Sequence, residues 1–282
     1  MMDHQSHYKM PKRIALLSKH GKAAQIVPIL SPLGIEIVAT DAFDTDMLGT
    51  FSGEVERTLS PLECAKKKAR LACELTGLEA GLGSEGSFGG GPLPGIMDWD
   101  TELIVLHDAR QNIDIVANVS GPVSLQSYQG DDVSALSAAL SGAEEGQAWI
   151  VKVDGHTIKG VANLDMLLAT LEAMNLGPEN GRFACPIDVA PDLRAMHSPL
   201  RQQYIIKAAL QLVERLQTHC PQCHQADFWL RDRIVGLPCR ECGTPTDLAK
   251  AFIRQCLHCQ YQQIETKEES VADPYRCHWC NP

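Results

Sequence analysis

Aromatic residues make up only 5% of the 282-residue chain, so aliphatic packing has to carry the core. Long apolar runs are missing too. No uninterrupted stretch approaches the roughly 18 residues that a membrane span needs, and a cytoplasmic protein without a membrane partner is expected. Positive charge is in deficit: the formal net charge is -10, whereas a general nucleic-acid surface clusters Lys and Arg against phosphates, so a nucleic-acid partner is disfavoured. The Ser18–Lys22 loop lacks the spacing of a Walker phosphate loop or of a dinucleotide fingerprint, and the chain has no long low-complexity segment. Residues 1–12 are polar, carry no leader pattern and are expected to form a disordered tail.

Cysteine, by contrast, is plentiful and ordered. Four Cys-x-x-Cys pairs close the chain: Cys220-Cys223, Cys239-Cys242, Cys256-Cys259 and Cys277-Cys280. Two thiolates two residues apart grip one tetrahedral zinc from a tight turn and a second pair completes the shell, so two structural zinc ions are expected. Intervals of fifteen residues from Cys223 to Cys239 and seventeen from Cys259 to Cys277 suit short hairpins. They point to a double zinc ribbon over 216–282 with consecutive pairs sharing a metal, in preference to a cross-braced arrangement of alternate pairs. Disulfides are the lesser alternative in a cytosolic chain. From Val213 to Pro282 there are eight Lys and Arg against nine Asp and Glu, and each four-thiolate zinc centre adds a charge of about -2. An acidic ribbon module favours stapling or contact with a protein partner over nucleic acid.

Residues 13–215 read as an α/β domain with a mixed, nucleotide-binding-like sheet. Arg13–Leu17 is a strand, Ser18–Lys22 a small-residue loop and Ala23–Leu30 a helix; amides at such a helix start attract anions, and Lys19, His20 and Lys22 would add to the attraction. Ile35–Ala39 is a second strand. Beyond it lie Asp44, Asp46, Glu54 and Glu56, hard oxygen ligands in the region past strand ends where open α/β sheets collect ligands. Ser60-Pro61-Leu62-Glu63 is a capping box that opens a helix running to about Leu75, with Thr76-Gly77 as its stop. Cys64 and Cys73 on it are packed thiols. A strand over 78–83 delivers Glu85 at its end, the carboxylate favoured as catalytic.

Thr101–Leu106 and Ile113–Asn118 form an antiparallel hairpin. Helices are expected over 131–140 and 164–174, with a strand over 148–153 and Lys159-Gly160 in a turn. Arg194, His197 and Arg201 precede and open a long amphipathic helix, as one cationic cluster suited to a phosphate or base.

With these residues in view, the chain resembles a bacterial family of unassigned function that shares several motifs: Lys19 to Lys22, Phe43 to Asp46, Gly53 to Arg57, Ser84 to Gly89, and a cysteine-rich tail ending at Cys280 to Pro282. It departs from the pattern in having Gly90-Gly91 where Pro-His is usual, and His197 one place late after Asp192-Leu-Arg-Ala-Met196. More distantly it is similar to the inosine triphosphate pyrophosphatase superfamily. That resemblance implies Mg²⁺-dependent hydrolysis of a nucleoside triphosphate or related phosphate ester, with Lys19 and Lys22 on phosphate, Glu54 or Glu56 with Glu85 on the metal, and His197 and Arg201 on base or phosphate. The alternative is a non-enzymatic adaptor whose ribbons dock a protein while the α/β domain senses a small anion.

Overall fold

The structure, a computed structural model, describes residues 8–48, 58–89, 91–93 and 95–282. Two compact units make up the described chain, divided between Leu212 and Val213; the smaller takes in 213–282 with residues 8–10.

The larger unit begins with β1 (Arg13–Leu17), whose Ile14 to Leu17 are all buried, as a central strand requires. Helix α1 (Ala23–Leu30) returns the chain to β2 (Glu36–Thr40), which pairs parallel with β1. Helix α2 (Pro61–Thr76) starts on the expected capping box: Ser60 Oγ accepts from the Glu63 amide and the Glu63 carboxylate accepts from the Ser60 amide, both at 3.2 Å. It stops at Gly77, whose φ of 69° is the left-handed cap conformation glycine allows.

Then come β3 (Ala80–Phe88), parallel to β1, and the antiparallel strands β4 (Asp98–Asp108) and β5 (Ile113–Val123). The five-stranded mixed sheet has the order β2-β1-β3-β4-β5. Between β1 and β3 the chain order reverses, which is the switch point where open α/β sheets bind ligands. Helix α2 lies unusually close to β3: a Cβ on Gly81 or Gly83 would sit well inside 3.0 Å of the Ala69 or Ala65 carbonyl. Small residues on both partners, Ala65, Ala69 and Ala72 against these glycines, permit that approach.

A second sheet in the same unit was not legible as such. It combines β6 (Tyr128–Asp132), β7 (Trp149–Val153), β8 (His156–Val161) and β9 (Arg182–Pro191) in the antiparallel order β6-β9-β7-β8. Helices α3 (Val133–Ser141) and α4 (Leu164–Ala173) supply Leu136, Leu167 and Leu171 to a core with Trp149, Val151, Phe183 and Ile187. Helix α5 (Pro199–Gln217) ends the larger unit and continues into the smaller.

In the smaller unit, β10 (Trp229–Val235), β11 (Ala249–Gln255) and β12 (Gln262–Thr266) form an antiparallel sheet. The N-terminal tail expected over 1–12 falls partly outside the described residues, but Tyr8 is buried and its amide meets the His224 carbonyl at 3.5 Å.

Candidate functional site

The loop after β1 folds back on itself at Gly21, with φ of 73°, and sends its two lysines in different directions. Lys22 turns inward and is almost wholly buried, its Nζ donating to Ser84 Oγ at 3.0 Å and lying 3.5 Å from Glu102 Oε2. Glu102, on β4, is fully buried; its other oxygen accepts from Arg201 Nε, and the guanidinium also donates to the Leu193 carbonyl. The Lys22–Glu102–Arg201 layer lies over Gly86, the β3 residue opposite Glu102, where a Cβ would collide with both the Arg201 guanidinium and the Glu102 carboxylate. Burial pushes the Lys22 ammonium down to about 8 despite the attraction of Glu102. Asp100, two residues earlier on β4, faces the same side; burial first and the charge of Glu102 second push it up to about 7.

Glu85 is elsewhere. It lies inside β3, not at its end, and alternation places it on the α2 face, opposite Ser84 and Gly86. There it accepts from Lys68 Nζ, and Cys64 Sγ donates to it at 3.4 Å. The structure therefore brings Lys22 and Arg201 together around Glu102 and corrects the expectation that Glu85 joins them from the same side. Glu54 and Glu56 lie outside the described residues.

Lys19 turns outward, to Asp44 at 2.8 Å and Asp46 at 2.9 Å, and His20 Nε2 meets Asp46 at 2.9 Å. Lys19 is thus paired with two of the carboxylates read as metal ligands. The α1 amides do not point at an anion either: those of Ala24, Gln25 and Ile26 donate to the carbonyls of Gly21 and Lys22. Burial lowers the proton affinity of His20 against the pull of Asp46.

Arg194, His197 and Arg201 do not form one cluster. Arg194 forks onto the buried Asp192 at 2.6 Å and 3.0 Å, and Asp192 also accepts from the Gly160 amide at 3.1 Å. The His197 ring and the Arg194 guanidinium both lie over Gly160, while Arg201 is held at Glu102. Lys159 belongs to β8, paired with Ile150, where a turn was expected.

The cysteines of the smaller unit form two tetrads, each with its ligand atoms within 4.8 Å of one another: Cys220, Cys223, Cys256 and Cys259, and Cys239, Cys242, Cys277 and Cys280. Alternate pairs meet, so the expected sequential pairing is wrong, and the strand order says why. Trp229 at the start of β10 faces Gln255 at the end of β11, which puts the first and third pairs at one end of the sheet. Val235 faces Ala249, and β12 leaves the sheet with Thr266 opposite Ala251, so the second and fourth pairs gather at the other end.

Each pair sits in the same knuckle, in which the residue after the second cysteine donates its amide to the first cysteine's carbonyl: His224, Gly243, Gln260 and Asn281, all at 2.9 Å. Cross-pair sulfur separations run from 3.5 Å for Cys223–Cys256 to 3.9 Å for Cys239–Cys280. A tetrahedral four-thiolate zinc requires about 3.8 Å. None of the eleven cysteines is in a disulfide, and both tetrads could hold a metal ion of zinc's kind. Burial pushes the Cys223 thiol up to about 12.

A family model described as a domain of unknown function (DUF6671) matches residues 68–282. The chain belongs to this family. The DUF6671 match includes the cysteine tail, Glu102 and Arg201 but begins after Lys22 and the Phe43 to Asp46 stretch. No curated protein matches the chain, and no solved structure does. Among the described residues, no helix is long and apolar enough to cross a membrane.

Sequence reasoning missed Asp100, Glu102, Asp192 and Lys68. A signal for the first two was present: they share alternation parity with Ile104 and Leu106, which are buried, and so read as carboxylates on the inward face.

Proposed function

We propose that the larger unit binds a phosphorylated small molecule at the β1/β3 switch point and hydrolyses a phosphate ester or anhydride with the help of Mg²⁺, while the smaller unit is stapled by two structural zinc ions. The observation that carries this reading is the buried Lys22–Glu102–Arg201 layer at the place where such sheets take ligands. Lys22 and Arg201 would hold the phosphate charge in a low-dielectric setting, where fixed cations stabilise a phosphoryl transition state without reorganising. Glu102 and Ser84 fix the orientation of both cations beforehand. Mg²⁺ would neutralise phosphate oxygens and polarise the attacking water. Turnover of canonical and deaminated nucleoside triphosphates by the zinc-loaded chain, with Lys22→Met as control, tests it. No turnover of any of them and no ligand-induced melting shift would end the reading.

A second reading, an adaptor that docks a protein through the ribbons, is favoured by the strong exposure of Tyr275, Trp279 and Leu257 on the smaller unit. It predicts that Tyr275→Ala combined with Trp279→Ala abolishes partner capture by the full chain and leaves nucleotide-induced melting shifts unchanged.

A further inference from the structure

We propose that Asp100 is the protein ligand of a divalent cation that enters the charged layer together with a phosphate group. Asp100 lies on β4 between Phe88 of β3 and Gly121 of β5, on the face that carries Glu102. It is wholly buried, and no side chain hydrogen-bonds to its carboxylate, which has only a weak contact with the adjacent Thr101 amide. An ionised carboxylate in that setting is costly, and protonation only exchanges an unpaired acceptor for an unpaired donor.

Its neighbours cannot relieve it. The Glu102 oxygens are engaged by Arg201 and Lys22, and Tyr204, which packs over Gly121, gives its hydroxyl to the Pro122 carbonyl at 2.9 Å. Asp100 is the one carboxylate among the described residues with both oxygens buried and no side-chain partner. A buried carboxylate with no side-chain partner offers oxygens to a hard cation, and Mg²⁺ or Mn²⁺ is typically held by one or two carboxylates, waters and phosphate oxygens.

Charge points the same way. Lys22 and Arg201 balance Glu102 and an ionised Asp100, so the layer is neutral before anything binds. A divalent cation and a doubly charged phosphate then add as a neutral pair, with the cation at Asp100 and the anion towards Lys22 and Arg201. A proton competes with the cation for Asp100, because burial and Glu102 raise its affinity for protons against the opposing charges of Arg201 and Lys22.

The inference rests on the phosphate-site reading for the anion that completes the cation's shell, and Mn²⁺ alone tests the carboxylate whether or not any ester is hydrolysed. Mn²⁺ is titrated into the zinc-loaded full chain at pH 8, with free Mn²⁺ read by electron paramagnetic resonance, in the wild type, Asp100→Asn, Asp100→Ser and Asp44→Asn. The expected result is one Mn²⁺ per wild-type chain, affinity at least 10-fold weaker in both Asp100 variants, and no change in Asp44→Asn. Far-UV circular dichroism of the Asp100 variants separates loss of the site from loss of the fold. Equal affinity in a folded Asp100 variant, loss in Asp44→Asn instead, or no bound Mn²⁺ with or without pyrophosphate would overturn the proposal. Mn²⁺ binding through Asp100 without turnover would remove the hydrolase and leave the cation site standing.

Discussion

The two units each gather polar groups around a buried centre, and they do so by opposite means. In the smaller unit the ligands come in pairs two residues apart, held by a repeated knuckle, so the chemistry is written in local spacing. In the larger unit Lys22, Ser84, Glu102 and Arg201 come from a loop, two strands and a helix, and only the sheet order brings them together. Identity of a site can therefore be local while its assembly is not: even the cysteines, legible as ligands, pair in an order set by strand topology.

The comparison breaks first, and hardest, at the tetrads. Cys220→Ser and Cys256→Ser should each abolish the same metal centre and unfold one end of the smaller unit, leaving one zinc per chain by metal analysis. Cys239→Ser should spare that centre and lose the other. If Cys220→Ser and Cys239→Ser prove to remove the same zinc, sequential pairing is restored. Next in size is Glu102→Gln, which strands Arg201 and Lys22 as buried cations. Removing one partner of a buried ion pair costs about 3 to 5 kcal/mol, readable as a fall in the denaturation midpoint of the larger unit.

Asp100→Asn should act in the other direction. A folded-state pKa of about 7, against an ordinary 3.8, means the native chain holds this proton more tightly than the unfolded chain. The group's contribution to stability is therefore lost as pH rises from about 4 to about 7. At roughly 1.4 kcal/mol per unit the gap corresponds to about 4 kcal/mol, and relaxation around the carboxylate brings the expected gain in Asp100→Asn to about 2 kcal/mol at pH 8, vanishing near pH 4. A gain that is the same at both pH values would show that Asp100 is not the titrating group. Smallest of all is Lys19→Ala: its exposed pairing with Asp44 and Asp46 should leave the melting midpoint unmoved.

Much of the fold was legible where local rules decide. Ser60, Pro61, Glu63 and Gly77 bounded α2 within a residue or two, and two apolar runs joined by a polar stretch found the β4–β5 hairpin. What escaped depends on long-range pairing. Strand β9 alternates Phe183, Ile187 and Val189 inward but carries Pro186, a residue that strand interiors disfavour, and β6 is a short polar run around Gly130. Gly160 read as a turn because glycine usually marks one; here its φ of 75° accompanies a register shift in the β7–β8 pairing and leaves room for His197.

For the candidate site, Lys22 and Arg201 were named as ligand-binding residues, and the structure sets them on one carboxylate. Their partner was not named, because Glu102 looks in sequence like a polar residue at the rim of a hairpin. Glu85 was favoured for sitting among small residues, yet its neighbours Ser84 and Gly86 face the Lys22–Glu102–Arg201 layer while Glu85 itself faces α2. A one-residue step along β3 separates the two faces, and sequence alone gave no reason to choose between Ser84 and Glu85.

The most direct test of the switch-point site is the melting shift produced by magnesium pyrophosphate in the zinc-loaded full chain, compared between the wild type and Lys22→Met. The account predicts a concentration-dependent rise in the wild type that disappears in the variant. No shift in the wild type, or the same shift in both, would contradict it.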